Sequence, residues 1–148
     1  MESGFLKKFG IKEPEPKELI EGKKEGFDIN KALVGLHKRA GANDTSVGYC
    51  ARYVRWALVD GGIKGAANGG PHALNFGPFL TGFGFKEVPN GNYQIGDIAV
   101  IESFTGNPYG HVHMWNGDNW VSDFVQNQFY PGKDYRRIKP NYKTYRWE

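Results

Sequence analysis

Hydrophobic periodicity changes once along this 148-residue chain, and that change constrains its architecture more than any other feature. Up to about residue 82, apolar residues recur at helical spacing. From Phe83 onward they fall into short, turn-bounded runs and into alternation. Helices followed by strands, rather than the two interleaved, predict an α+β domain with N-terminal helices packed on a C-terminal antiparallel sheet.

The helical part reads in three pieces. Ala32, Leu33, Leu36 and Ala40 share one face of a helix over Asn30–Arg39, closed by Gly41. A polar loop from Ala42 to Gly48 offers Asp44, Thr45 and Ser46 as N-caps. The clearest helix follows, from about Val47 to Val59, with Cys50, Tyr53, Val54, Ala57 and Leu58 on its apolar face and Gly61-Gly62 as its stop. A shorter helical stretch around Ala73–Gly82 is interrupted by Gly77-Pro78.

Strands are expected at Phe85–Val88, at Ile98–Ile101 after Gly96-Asp97, at His111–Trp115, at Trp120–Phe124 and at Tyr142–Trp147. Asn116-Gly117-Asp118-Asn119 is a strong hairpin turn between two of them. Residues 1–28 carry six Lys against seven Asp or Glu, with Pro14 and Pro16, and read as a charged arm; residues 29–148 read as one domain.

Composition excludes several classes. One cysteine forbids an intramolecular disulfide framework and a multi-cysteine zinc site. No apolar run approaches the ~18 residues of a membrane span, and Met1–Lys8 lacks the pattern of a secretory signal, so synthesis in the cytoplasm is expected. The Gly-rich stretch Gly65–Gly70 lacks a phosphate-loop ending. The net charge of +3 sits in the last seventeen residues, where six Lys or Arg face only Asp134 and Glu148. That tail reads as a solvated edge strand guarded by its charges, or as a contact for anionic polymer; nucleic acid is not expected as a partner.

Four residues carry candidate chemistry. Cys50 lies in the first turn of its helix, where unpaired N–H groups and the helix dipole favour a thiolate. It reads either as a nucleophile or as a small core residue. His111 and His113, two apart on one strand, point to the same face, and the hairpin returns Asp123 alongside them. Asp123 is thereby a candidate to hold His111 by a hydrogen bond, completing a nucleophile, base and orienting carboxylate. The same His-x-His strand and Asp123 could instead ligate a metal. His37, on a charged helix, reads as solvent-facing, and His72 as polar loop surface.

The segments Ser46-Val47-Gly48-Tyr49-Cys50-Ala51-Arg52-Tyr53-Val54, Gly96-Asp97-Ile98-Ala99-Val100, Gly110-His111-Val112-His113-Met114-Trp115 and Trp120-Val121-Ser122-Asp123-Phe124 occur in that order. The set resembles the papain-like CHAP and NlpC/P60 groups of peptidoglycan-cutting amidases and endopeptidases. It covers residues 42 to 131, about 60% of the chain, and is most similar to the small amidase effectors of type VI secretion systems. The resemblance implies a papain-like NlpC/P60-type fold. It implies Cys50 as nucleophile on an amide of the stem peptide, His111 as base and Asp123 as its orienting group. His113 stands where related sequences carry a small or apolar residue, which leaves it as the alternative base. Tyr49, Trp115 and Trp120 would line the substrate groove, and no metal or organic cofactor is required. The expected partners are peptidoglycan stem peptides and an immunity protein, and the expected place of action is the periplasm of a target bacterium. A non-catalytic cell-wall-binding module and a phage lytic enzyme of the same chemistry are the competing readings.

Overall fold

Asp28 starts the first helix of the computed structural model, which describes residues 26–148. Its carboxylate accepts the Lys31 N–H at 3.1 Å, and helix α1 (Ile29–Ala40) buries Ala32, Leu33, Leu36 and Ala40, the four residues whose spacing predicts it. His37 is buried as well, contrary to the solvent-facing position expected. The carbonyl of the Asn116 side chain takes the N–H groups of Asp118 and Asn119 at 2.7 and 2.6 Å. Its Nδ2 is left to donate to His37 Nε2 at 2.8 Å, which ties α1 to the hairpin turn. Burial drives the His37 imidazole down to about 4, so it packs as a neutral acceptor.

Helix α2 (Cys50–Asp60) packs on α1, and Arg39 and Asp60 pair across them at 2.6 Å. Two 3₁₀ turns, Lys64–Ala67 and Ala73–Asn75, lead to helix α3 (Phe76–Gly82). Pro78, read from the sequence as an interruption of this stretch, lies in the first turn of α3, where no backbone N–H is required. Among the described residues the strands are β1 (Phe85–Val88), β2 (Ile98–Ile101), β3 (His111–Trp115), β4 (Trp120–Val121) and β5 (Tyr142–Trp147), and a short helix α4 (Lys133–Ile138) precedes the last. They form one antiparallel sheet in the order β1-β5-β2-β3-β4.

The C-terminal strand is therefore not at an edge, as its charges suggested. β5 is inserted between β1 and β2, with Phe85 opposite Trp147 and Ile98 opposite Tyr145. One of its cations serves the interior, where Arg146 grips the fully buried Asp97 through Nε at 2.8 Å and Nη2 at 2.9 Å. Asp97 also accepts the Gln94 N–H at 2.9 Å. The Gly-Asp motif thus anchors the start of β2. Its glycine is required, because φ is +96° and a Cβ there would lie 2.9 Å from Ile29.

The helices cover one face of the sheet, with Val54, Ala57, Leu58 and Leu33 packed against Ile98, Val112, Met114 and Val121. Alternation along β3 sends His113 to the opposite face, where its ring stacks on Trp120 at 4.4 Å and meets Phe129 at 4.8 Å. The arm expected for residues 1–28 lies outside the described residues except for its end. There Phe27 packs edge-on to Phe85 at 5.5 Å and Asp28 caps α1, so the folded body begins before residue 29.

Candidate active site

Cys50 is the first residue of α2, as its sequence position implies, and is partly buried. The backbone N–H groups of Val112 on β3, of Ala51 and of Cys50 itself lie near the sulfur. These contacts favour the thiolate, yet burial outweighs them and the nearby Asp123 carboxylate adds to it, pushing the thiol up to about 11. The helix dipole acts at this position, but burial is the dominant force. At neutral pH the sulfur is held as a thiol beside the His111–Val112 peptide.

His111 opens β3 directly after Gly110. That glycine has φ +72°, and a Cβ there would lie 2.6 Å from the Ile101 carbonyl oxygen, so the Gly-His pair follows from the close approach of β2. The His111 ring is buried, and burial lowers its pKa; its hydrogen bond to Gln126 and the Asp123 charge act the other way. His111 Nε2 lies 2.9 Å from Gln126 Oε1, and His113 Nδ1 lies 3.2 Å from the same oxygen.

Gln126 fixes the tautomers of both rings. Its Nε2 donates to the carbonyls of Gln128 at 3.0 Å and Phe129 at 3.3 Å, so its oxygen must face the histidines as an acceptor. His111 therefore carries its proton on Nε2 and presents Nδ1 as the lone-pair nitrogen. His113 carries its proton on Nδ1, and its Nε2 has no hydrogen-bond partner among the described residues. Burial and the neighbouring His111 keep His113 neutral.

Asp123 is close to this group but does not hold His111. The fully buried carboxylate places one oxygen on three donors of the loop before α2: Val47 N–H at 2.8 Å, Tyr49 N–H at 2.9 Å and Ser46 Oγ at 3.0 Å. Its other oxygen accepts from Ser122 Oγ at 3.3 Å. Asn43 Nδ2 adds a bond to the Asp123 carbonyl at 2.8 Å. The expected orienting bond is absent because β4 ends at Val121. Ser122 N–H then closes on the Phe124 carbonyl at 3.0 Å, and the chain doubles back. The turn aims Asp123 at the α2 entry and brings Gln126 to His111. Gln126 escaped the sequence reading because it lies beyond the expected strand end, and only this turn puts it in reach.

The aromatic candidates separate by burial. Tyr49 is half exposed beside the thiol, with the Arg52 guanidinium 4.4 Å over its ring. Trp120 is 5% exposed and packed against His113, Tyr93 and Phe129, which leaves no groove-lining face. Trp115 packs on Trp120 at 5.2 Å and is part of the same cluster. The loop residue His72 meets Tyr109 at 4.6 Å, and Leu74 N–H ties this segment to the Tyr109 carbonyl at 2.8 Å. Among the described residues, no group of three His, Cys, Asp or Glu side chains is arranged to hold a metal ion.

No protein-family model matches the chain, so the CHAP and NlpC/P60 assignment gains no support from that comparison. No curated protein sequence matches it either. Among solved structures, the chain is similar to one from the type VI native effector–immunity complex Tae3–Tai3 of Ralstonia pickettii. The two share 40% identity with a TM-score of 0.72, over 80% of this chain and 97% of the other. A selenomethionine form of the same complex matches with 41% identity and a TM-score of 0.66, over 76% of this chain and 99% of the other.

Proposed function

The chain belongs to the family of the type VI effector Tae3, and on that premise we propose that it is an antibacterial peptidoglycan amidohydrolase using Cys50 and His111. The observation that carries this reading is the convergence of α2 and β3. A thiol at a helix N-terminus lies beside the Val112 N–H, one residue from an imidazole whose tautomer is set by Gln126. A papain-like arrangement is the finer fold reading that this convergence supports.

In the proposed reaction both groups begin neutral, since burial raises the thiol and lowers the imidazole. His111 Nδ1 accepts the Cys50 proton as the sulfur attacks the scissile carbonyl carbon, so the imidazolium forms during attack. Gln126 is a positioning residue: its Oε1 accepts the Nε2–H and holds the ring in this tautomer. Asp123 acts through the loop, fixing Val47 and Tyr49 and hence the entry of α2, while its charge stabilises the imidazolium. The Cys50 N–H is one donor for the developing oxyanion. Collapse expels the amine with the proton from His111, and water releases the acyl group.

The substrate proposed is an amide bond of the peptidoglycan stem peptide in the periplasm of a target bacterium. The partner proposed in the producing cell is an immunity protein, because the matching structures are effector–immunity complexes. The test is digestion of purified Gram-negative peptidoglycan by this protein and by Cys50→Ala, with products identified by mass spectrometry. New amine and carboxylate ends from the unaltered protein alone are expected. Equal cleavage by Cys50→Ala refutes thiol catalysis, and no cleavage by either refutes the enzyme reading in favour of a wall-binding module.

A further inference from the structure

Tyr135 of α4 and Asn107 of the β2–β3 loop meet beside the proposed catalytic pair, and neither has a part in the mechanism above. The Asn107 loop is closed by paired backbone bonds to Phe104 at 2.8 and 3.0 Å. Asn107 Oδ1 accepts the Tyr109 N–H at 3.2 Å, so Nδ2 is the end that reaches Tyr135, donating to its Oη at 2.6 Å. The phenol oxygen therefore accepts from Asn107, and its own proton has no acceptor among the described residues. Tyr135 is 8% exposed, its ring fixed edge-on against Phe104 at 5.0 Å and against His111 at 5.8 Å. Tyr135 and Asn107 also line an open cleft of about 390 Å³ with Phe104 and Lys133. Burial and the charge of a Cys50 thiolate both push the phenol up, so it stays protonated while the sulfur reacts.

A buried hydroxyl with a fixed acceptor side, an unused proton, the base against its ring and a cleft beside it is placed to receive a substrate oxygen. Resting on the Cys50–His111 reading, we propose that Tyr135 is a further catalytic residue that donates its hydroxyl to the scissile carbonyl oxygen, with Asn107 as its positioning residue and the cleft as the subsite for the adjoining peptide. As the Sγ–C bond forms, the carbonyl π pair moves onto oxygen and the thiol proton passes to His111. The Tyr135 proton is shared with that oxygen but not transferred. When the C–N bond breaks, the pair returns to the carbonyl and the amine leaves with the proton from His111.

The test compares Tyr135→Phe, Asn107→Ala and the double variant with the unaltered protein and Cys50→Ala on a soluble muropeptide. Tyr135→Phe keeps the ring on His111, and kcat is expected to fall ~10²–10³-fold with KM little changed, the scale of losing one oxyanion donor. Alkylation of Cys50 by iodoacetamide, which forms no oxyanion, should keep its rate. Asn107→Ala should lose less, and the double variant no more than Tyr135→Phe, because Asn107 acts only through the phenol. Unchanged kcat in Tyr135→Phe overturns the assignment while leaving the Cys50 reading intact. A parallel fall in alkylation also overturns it, by placing Tyr135 on the thiol or the fold. Full activity in Cys50→Ala overturns the reading on which it rests.

Discussion

Replacing Asp123 separates its two possible roles, because they predict opposite pairings of stability and turnover. The carboxylate oxygen that holds the loop before α2 accepts two backbone N–H groups, at 2.8 and 2.9 Å, and the Ser46 hydroxyl at 3.0 Å. Hydrogen bonds to a charged acceptor contribute ~1.5–3 kcal/mol each, so the two backbone bonds set an upper range of ~3–6 kcal/mol for Asp123→Ala. Val47 and Tyr49 are about half exposed, and water can reach the freed N–H groups. We therefore expect a loss of ~2–4 kcal/mol, which at about 3–4 °C per kcal/mol for a chain of this size lowers Tm by about 6–16 °C.

Asp123→Asn is the informative partner. All three loop donors fall on one oxygen and only Ser122 Oγ on the other, so an asparagine can keep its carbonyl on the loop and turn its NH₂ to Ser122. It loses the charge but not the geometry, and should cost only ~1 kcal/mol. Urea denaturation measures both variants, and kcat on the muropeptide is followed in parallel. Because the Asp123 charge raises the Cys50 pKa, the asparagine variant should also shift thiol alkylation to lower pH. The loop-anchoring role of Asp123 is refuted if Asp123→Ala stays within ~0.5 kcal/mol of the unaltered protein while Asp123→Asn loses turnover at full stability. That result would return Asp123 to His111.

Three further outcomes are expected. The rate of Cys50 alkylation by iodoacetamide should climb with pH toward about 11, since burial is the dominant influence on the thiol; a plateau already reached at about pH 8 would establish a preformed thiolate–imidazolium pair instead. Gln126→Leu removes the acceptor that sets the His111 tautomer and should lower kcat by up to ~10⁴-fold, the scale seen when a catalytic histidine is left in the wrong tautomer; a loss below tenfold would assign the orientation elsewhere. Arg146→Met leaves the fully buried Asp97 without its cation and should destabilise the fold by ~3–5 kcal/mol in urea denaturation; a loss under ~1 kcal/mol would show that the Gln94 N–H alone satisfies the carboxylate.

Local chemistry was legible in the sequence wherever a short segment decides its own conformation. The periodicity of Ala32, Leu33, Leu36 and Ala40 defines α1, and that of Val54, Ala57 and Leu58 defines the buried face of α2. The turn Asn116–Asn119, the strand Ile98–Ile101 and the placement of Cys50 at a helix start follow from neighbouring residues in the same way. The Gly96-Asp97 and Gly110-His111 motifs were visible too, but that both glycines hold a positive φ where a side chain does not fit is a finding of the structure.

What the sequence could not determine depends on contacts between distant segments. The insertion of β5 between β1 and β2 turns Arg146 from a surface guard into the partner of Asp97, 49 residues away. His37 is interior only because the hairpin turn brings Asn116 to it across 79 positions. Two features of the site have the same origin. The early end of β4 sends the Asp123 carboxylate to Val47 and Tyr49, and the turn that follows delivers Gln126 to His111. A strand pattern fixes which face a side chain takes, but not where pairing stops. Pairing stops where the buried carboxylate and the N–H groups of the α2 entry loop find each other, a balance of desolvation and hydrogen bonding that exists only once α2 and β3 are packed together.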